Sequence, residues 1–169
     1  MALLCCLLLP VLAPAASWAG TPAAAGTEPR RLPVIRLHGS ALEGAPRTVT
    51  VDELDGLAAQ TEWTIVDPYR RQDARYRGIQ LRDLVAALAP RARQVRMRAI
   101  NDYITVFERR EWESLPILLA TRDNDARMSV DRKGPARIIY RQTRDNEMAM
   151  QVNAPKWIWQ VIDVEFIGE

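Results

Sequence analysis

From residue 33 onward the chain alternates apolar and polar positions in short runs, and those runs predict most of its elements. "PVIRLHG" (33–39) and "RTVTV" (47–51) read as strands, the second rich in β-branched residues. In "TVDELDGLAAQ" (50–60), Leu54, Leu57 and Ala58 return at helical spacing, with Thr50 or Asp52 as the cap. "EWTIV" (62–66) returns to strand. "DPYRRQDARYRG" (67–78) is polar, carries Arg70, Arg71, Arg75 and Arg77, and reads as a long loop. Gly78 then opens "IQLRDLVAALAP", where Leu81, Leu84, Val85 and Leu88 form one helix face and Pro90 stops it. "QVRMRAI" (94–100) alternates again, "RREWESLP" (109–116) fits a helical turn, and "ILLATRD" (117–123) is a buried strand running into a polar turn. "DRKGPARIIY" (131–140) reads as a turn followed by a strand, and "WIWQVIDVEFIG" (157–168) as a long final strand. Many short strands with two or three short helices predict a single mixed α+β domain.

The first 31 residues follow another pattern. Residues 1–19 carry no charged side chain, residues 3–13 are an apolar run too short to span a bilayer, and Ser17-Trp18-Ala19 places small residues at a signal-peptidase site. The expectation is a secretory signal peptide cut after Ala19, with residues 20–31, "GTPAAAGTEPRR", as a flexible tether and residues 32–169 as the folded domain. Both cysteines, Cys5 and Cys6, leave with the signal, so the mature chain offers no disulfide, thiol nucleophile or thiolate ligand.

Charge narrows the classes further. Lys+Arg number 23 against 21 Asp+Glu, a net charge of +2 that supplies no field suited to nucleic acid. Lys133 and Lys156 are the lysines; every other basic residue is arginine, whose planar fork pairs with carboxylates and phosphates and stacks on rings. The single histidine, His38, removes His-rich metal sites and reads as a structural or surface residue at a strand end.

Three stretches combine polar chemistry with aromatic rings: "AINDY" (99–103), "DRKGPARIIY" (131–140) and "KWIWQ" (156–160). Asn101 and Asp102 are good turn residues, and beside Tyr103 they are also a compact set of donors and acceptors. Both readings, hairpin corner and pocket rim, stand at this level. Arg132, Lys133 and Gly134 form a basic turn whose glycine permits close backbone approach to a ligand, or a solvated turn. Arg70, Arg71 and Arg75 are anion contacts or a solvated loop. Trp157 and Trp159, two apart, share one face if the segment is a strand.

In order and spacing, "YRGIQLRDLVAAL", "AINDY", "RKGPARIIY" and "WIWQVIDVEF" resemble the molybdopterin-binding domain of the sulfite-oxidase superfamily across nearly the whole mature chain. The chain looks most like the short, exported, single-domain members that bind pterins without metal and signal to a membrane partner. Catalytic members hold molybdenum through a cysteine thiolate just before the Gly-x-x-Leu segment. Here that region, "EWTIVDPYRRQDARYR" (62–77), has no cysteine. The resemblance therefore implies a periplasmic pterin- or molybdopterin-like ligand with no molybdenum, held by Trp159, Asn101, Asp102, Tyr103, Arg132, Lys133, Gly134 and Arg71, with Trp159 stacking on the ring. It also implies the periplasmic domain of a membrane signalling protein as a partner. Enzymatic activity stays open. The alternatives are a molybdenum-dependent oxidoreductase with an atypical ligand such as Asp67 or Asp73, and an accessory domain with an empty pocket.

Overall fold

A computed structural model describes residues 33–141 and 154–168, so the expected signal peptide and tether lie outside the described residues. Two five-stranded sheets and three short helices make a mixed α+β domain, as the alternation predicts. In the first sheet, β1 (Val34–His38), β2 (Arg47–Thr50), β5 (Gln94–Ala99), β6 (Ile104–Glu108) and β10 (Val161–Ile167) lie in the order β2-β1-β10-β5-β6. The β1–β10 pair is parallel and the others antiparallel. In the second sheet, β3 (Gln60–Asp67), β4 (Gln72–Gln80), β7 (Ile117–Asp123) and β8 (Ala126–Arg127) follow in that order, and β9 (Arg137–Tyr140) also pairs with β7.

One apolar cluster joins the elements. It takes Ile35, Leu37, Val95, Met97 and Val164 from the first sheet, Trp63, Ile65, Ile79 and Leu118 from the second, and Leu81, Leu84, Val85 and Leu88 from α2 (Leu81–Leu88). The α2 residues are those the helical spacing singles out, and the helix ends at Ala89, before Pro90. The first helix, α1 (Val51–Asp55), is shorter than its pattern, and Thr50 rather than Asp52 caps it, through a reciprocal capping box with Glu53. The third, α3 (Arg109–Ser114), buries Trp112.

Two expectations fail. The arginine-rich stretch 67–78 is not a long loop: after a tight turn at 68–71, residues from Gln72 onward form β4 and pair with β3 from Asp67↔Gln72 to Gln60↔Ile79. Ala74, Tyr76 and Gly78 point inward while Asp73, Arg75 and Arg77 point away, so period two is present but its outward half is wholly polar. Gly78 accordingly lies inside β4, where a Cβ would meet the Leu119 carbonyl at 2.1 Å, and does not open the helix. The second failure is the final strand. It begins at Val161, and residues 157–160 run irregularly before it. His38, at the end of β1, bonds Asp163 at 2.9 Å and serves the sheet.

Candidate functional site

The irregular run 157–160 is held from several sides. The Ile138 N–H donates to the Ile158 carbonyl at 2.8 Å, the Val161 N–H to Ala136 at 2.9 Å, and the Gln160 N–H to Lys133 at 3.1 Å. The Gln160 side-chain amide donates to the Val130 carbonyl at 2.7 Å, and Gln160 itself sits at φ 57°. Those bonds require the 3-10 turn Val130–Arg132 and the chain after it to come very close. Gly134 makes this possible, because a Cβ there would lie 1.9 Å from the Met128 carbonyl oxygen. Close approach is what its glycine was expected to allow, but the neighbour is Met128 rather than a ligand.

Two turns complete the site. The β3–β4 turn is built on Asp67: its Oδ1 accepts the N–H of Tyr69 at 2.8 Å and of Arg70 at 3.1 Å, and its carbonyl accepts that of Arg71 at 2.7 Å. This presents Tyr69, 48% exposed, toward the tryptophans. The β5–β6 turn closes with the Ala99 N–H on the Tyr103 carbonyl at 2.9 Å and Asn101 Oδ1 accepting the Tyr103 N–H at 3.3 Å. The Ile100 N–H donates to the Gln160 carbonyl at 3.0 Å, and the Tyr103 hydroxyl donates to the Pro155 carbonyl at 2.6 Å. "INDY" is thus a hairpin corner and a pocket wall at once.

Between these turns lies a pocket of about 260 Å3. Its wall includes the rings of Tyr69, Tyr103, Trp157 and Trp159, with Asn101, Ala99 and Pro155 between them. Tyr69 meets Trp159 edge to face at 5.3 Å between centroids, and Trp157 at 6.1 Å; Trp157 in turn stacks on buried Tyr140 at 6.0 Å. The Lys133 ammonium covers Tyr69 and Trp159, 4.5 and 4.6 Å from their centroids. Burial, reinforced by the Arg137 charge, lowers the Lys133 pKa below its ordinary value.

Beneath this aromatic layer runs a buried polar network. Arg137 and Asp67 are both 0% exposed. Asp67 Oδ2 accepts the Tyr76 hydroxyl at 2.5 Å and Arg137 Nη1 at 3.3 Å, and Nη1 also reaches the Tyr76 oxygen at 3.0 Å. Arg70 joins through its Nε, 3.9 Å from Asp67 Oδ2, and also pairs with Asp123. Burial pushes the Asp67 carboxyl up, but the bonds from Tyr76 and the Tyr69 N–H and the Arg137 charge outweigh it, and the group ends below its ordinary value. Burial and the bond to Asp67 raise the Tyr76 hydroxyl well above its ordinary value. Among the described residues the Nε and Nη2 groups of Arg137 have no hydrogen-bond partner, an arrangement that costs roughly 1–3 kcal/mol per group.

The sequence-predicted site residues divide. Asn101, Tyr103 and Trp159 line the pocket and Lys133 caps it. Asp102 points away, its carboxylate 83% exposed and bonded to Arg98 at 3.0 Å. Arg71, in the turn at φ 55°, and exposed Arg132 are likewise not on the wall. Tyr69, Trp157 and Arg137 are the residues sequence reasoning did not carry into the site. Arg137 leaves a trace, being a lone charge inside the apolar run "PARIIY". Tyr69 leaves only an aromatic amid arginines.

No family model matches the sequence, and no curated protein matches it. Among solved structures the chain is similar to the sulfane dehydrogenase SoxCD from Paracoccus pantotrophus, with a TM-score of 0.55 and 14% identity, covering 80% of this chain and 38% of that one. The likeness is one of fold. This chain spans well under half of the neighbour's length.

The residues present fit a flat heterocycle better than a metal. The wall supplies stacking faces and the Asn101 amide, and the Lys133 ammonium lies over two of the rings. All four acceptor positions of Asp67 are engaged by Tyr69, Arg70, Tyr76 and Arg137, so this carboxylate is not available as an atypical molybdenum ligand. Asp73 is exposed on the outward side of β4. Among the described residues no three His, Cys, Asp or Glu cluster together, and no carboxylate or imidazole belongs to the pocket wall. The chemistry on offer is recognition: stacking, amide pairing and neutralisation of an anionic or carbonyl oxygen.

Proposed function

We propose that this chain is an exported pterin-binding protein that works without a catalytic metal and relays the state of its ligand to a membrane signalling partner. The observation that carries the reading is the aromatic pocket, with the Asn101 amide in its wall and the Lys133 ammonium over Tyr69 and Trp159. A volume of about 260 Å3 lies just under the usual small-molecule range of roughly 300–1,000 Å3, which suits one bicyclic ring rather than a dinucleotide. The ring lies against the aromatic wall, its donor–acceptor edge meets the Asn101 amide, and its carbonyl or an attached phosphate turns toward the Lys133 ammonium. Export is supported by the leader pattern of residues 1–19, and the signalling partner by the family resemblance.

The test is titration of a fluorescent pterin into the purified mature chain and its Trp159→Ala variant. Losing the Trp159 face removes about 1–2 kcal/mol of stacking and burial, so affinity falls by roughly tenfold or more. Trp159 is only partly buried and its neighbours are held through backbone bonds, so the variant folds. A folded variant that binds as tightly as the wild type removes Trp159 from the site. A wild type that takes up no pterin ends the proposal.

A further inference from the structure

The aromatic pocket lies at the start of β10, where Val161 pairs with Ala99. The far end of the same strand opens on a different surface. Ser40, Arg93, Arg109, Arg110 and Gly168, with Arg91 and Pro90, surround an open concavity of about 1,100 Å3. Seven residues of β10 separate the two sites, a span of about 20 Å, so one can be covered while the other stays accessible.

The internal bonds of this concavity leave an excess of positive charge. Its negative residues are Glu108 and Glu113. Glu108 closes the capping box of α3 and accepts from Gln94 at 2.9 Å. Glu113 pairs with Arg109 at 3.4 Å, and Arg109 also donates to the Pro90 carbonyl at 2.7 Å, which ties the 90–93 stretch to α3 and fixes the floor. The guanidinium groups of Arg91 and Arg110, both exposed, have no hydrogen bond or ion pair among the described residues. Arg93 is exposed beside them. Two free guanidinium forks on a braced floor are suited to carboxylates, which arginine binds in a bidentate manner. The interspersed glutamates disfavour a dense polyanion and favour acids spaced along a chain.

We propose that this concavity docks an extended acidic segment, rich in Asp or Glu, of a partner protein. The proposal stands whether or not the aromatic pocket holds a pterin, and its test needs no pterin. The probe is a fluorescein-labelled decapeptide of alternating Glu and Ser, followed by anisotropy at about 50 mM salt, where exposed charges are weakly screened. A Gln-Ser peptide, tripolyphosphate and phosphatidylglycerol vesicles run alongside. The expected result is saturable binding of the acidic peptide that falls at least tenfold in Arg91→Glu/Arg110→Glu. Arg36→Glu/Arg82→Glu, with the same net charge change at exposed positions outside the concavity, keeps most of the binding. Equal losses in the two double variants mean that overall charge, not this surface, binds the peptide, and overturn the proposal. So does no binding of the peptide, or binding by the vesicles or tripolyphosphate alone.

Discussion

Asp67→Asn isolates the energetics of the network beneath the pocket. The substitution keeps the side-chain shape and removes the charge. In the better orientation the amide oxygen faces the Tyr69 and Arg70 N–H groups, and the amide NH2 takes the place of Oδ2. There it meets the Tyr76 hydroxyl, which can turn to accept, and Arg137 Nη1, which cannot. Asp67 is the only ion-pair partner of Arg137 among the described residues, and both side chains are 0% exposed. The variant therefore leaves a buried guanidinium with the Tyr76 oxygen as its remaining partner. Breaking a buried pair by removing one member costs about 3–5 kcal/mol. The surviving Tyr76 contact and the retained turn bonds place the loss at the lower end, about 3 kcal/mol, a large share of the roughly 5–15 kcal/mol that holds a domain together. Urea denaturation at pH 7, followed by tryptophan fluorescence, reads this as a midpoint lower by about 1–2 M at an ordinary slope. The pH dependence supplies a second readout. The Asp67 pKa is lowered on folding, so its stabilisation is complete above the unfolded value near 3.8 and is lost as pH falls through the lower folded value. The gap between wild type and Asp67→Asn must therefore narrow in acid. A loss under about 1 kcal/mol at pH 7, or a gap that does not change with acid, refutes the account of the network.

Gly134→Ala places a Cβ 1.9 Å from the Met128 carbonyl oxygen and 2.4 Å from its carbonyl carbon, so the variant is expected to lose its cooperative thermal transition or to accumulate as insoluble protein; a soluble variant with wild-type melting temperature refutes the packing argument. Tyr103→Phe removes the bond to the Pro155 carbonyl, worth about 0.5–1.5 kcal/mol, and calorimetry should show a melting temperature lower by a few degrees with weaker pterin binding.

The elements legible in the sequence are those whose apolar positions carry the period: α2 through Leu81, Leu84, Val85 and Leu88, and β5 through Val95, Met97 and Ala99. β4 was hidden because its inward residues include Gly78 and a tyrosine among arginines, so tertiary pairing with β3 and β7, not local preference, makes it a strand. Residues 157–160 look like strand because Trp157, Ile158 and Trp159 are apolar, yet the backbone groups of this run bond to Lys133, Ala154 and Ile138 in place of a regular ladder. Trp157 and Trp159 reach the same pocket, though not through strand geometry. Turn chemistry locates Asn101 and Tyr103 but says nothing of direction, and Asp102 in the same turn faces Arg98 and solvent. Arg137 is the least legible, since the partners that keep a buried arginine lie 61 and 70 residues away in sequence.

The most direct test of the central claim begins with residues 20–169, the proposed mature chain, exported to the periplasm of a pterin-producing cell and purified from it. The protein is denatured, the released small molecules are identified by fluorescence and mass spectrometry, and molybdenum is measured by elemental analysis on the same preparation. The account predicts a pterin near one per chain and molybdenum far below that. Molybdenum near one per chain, or a preparation that neither carries a pterin nor takes one up when it is supplied, contradicts it.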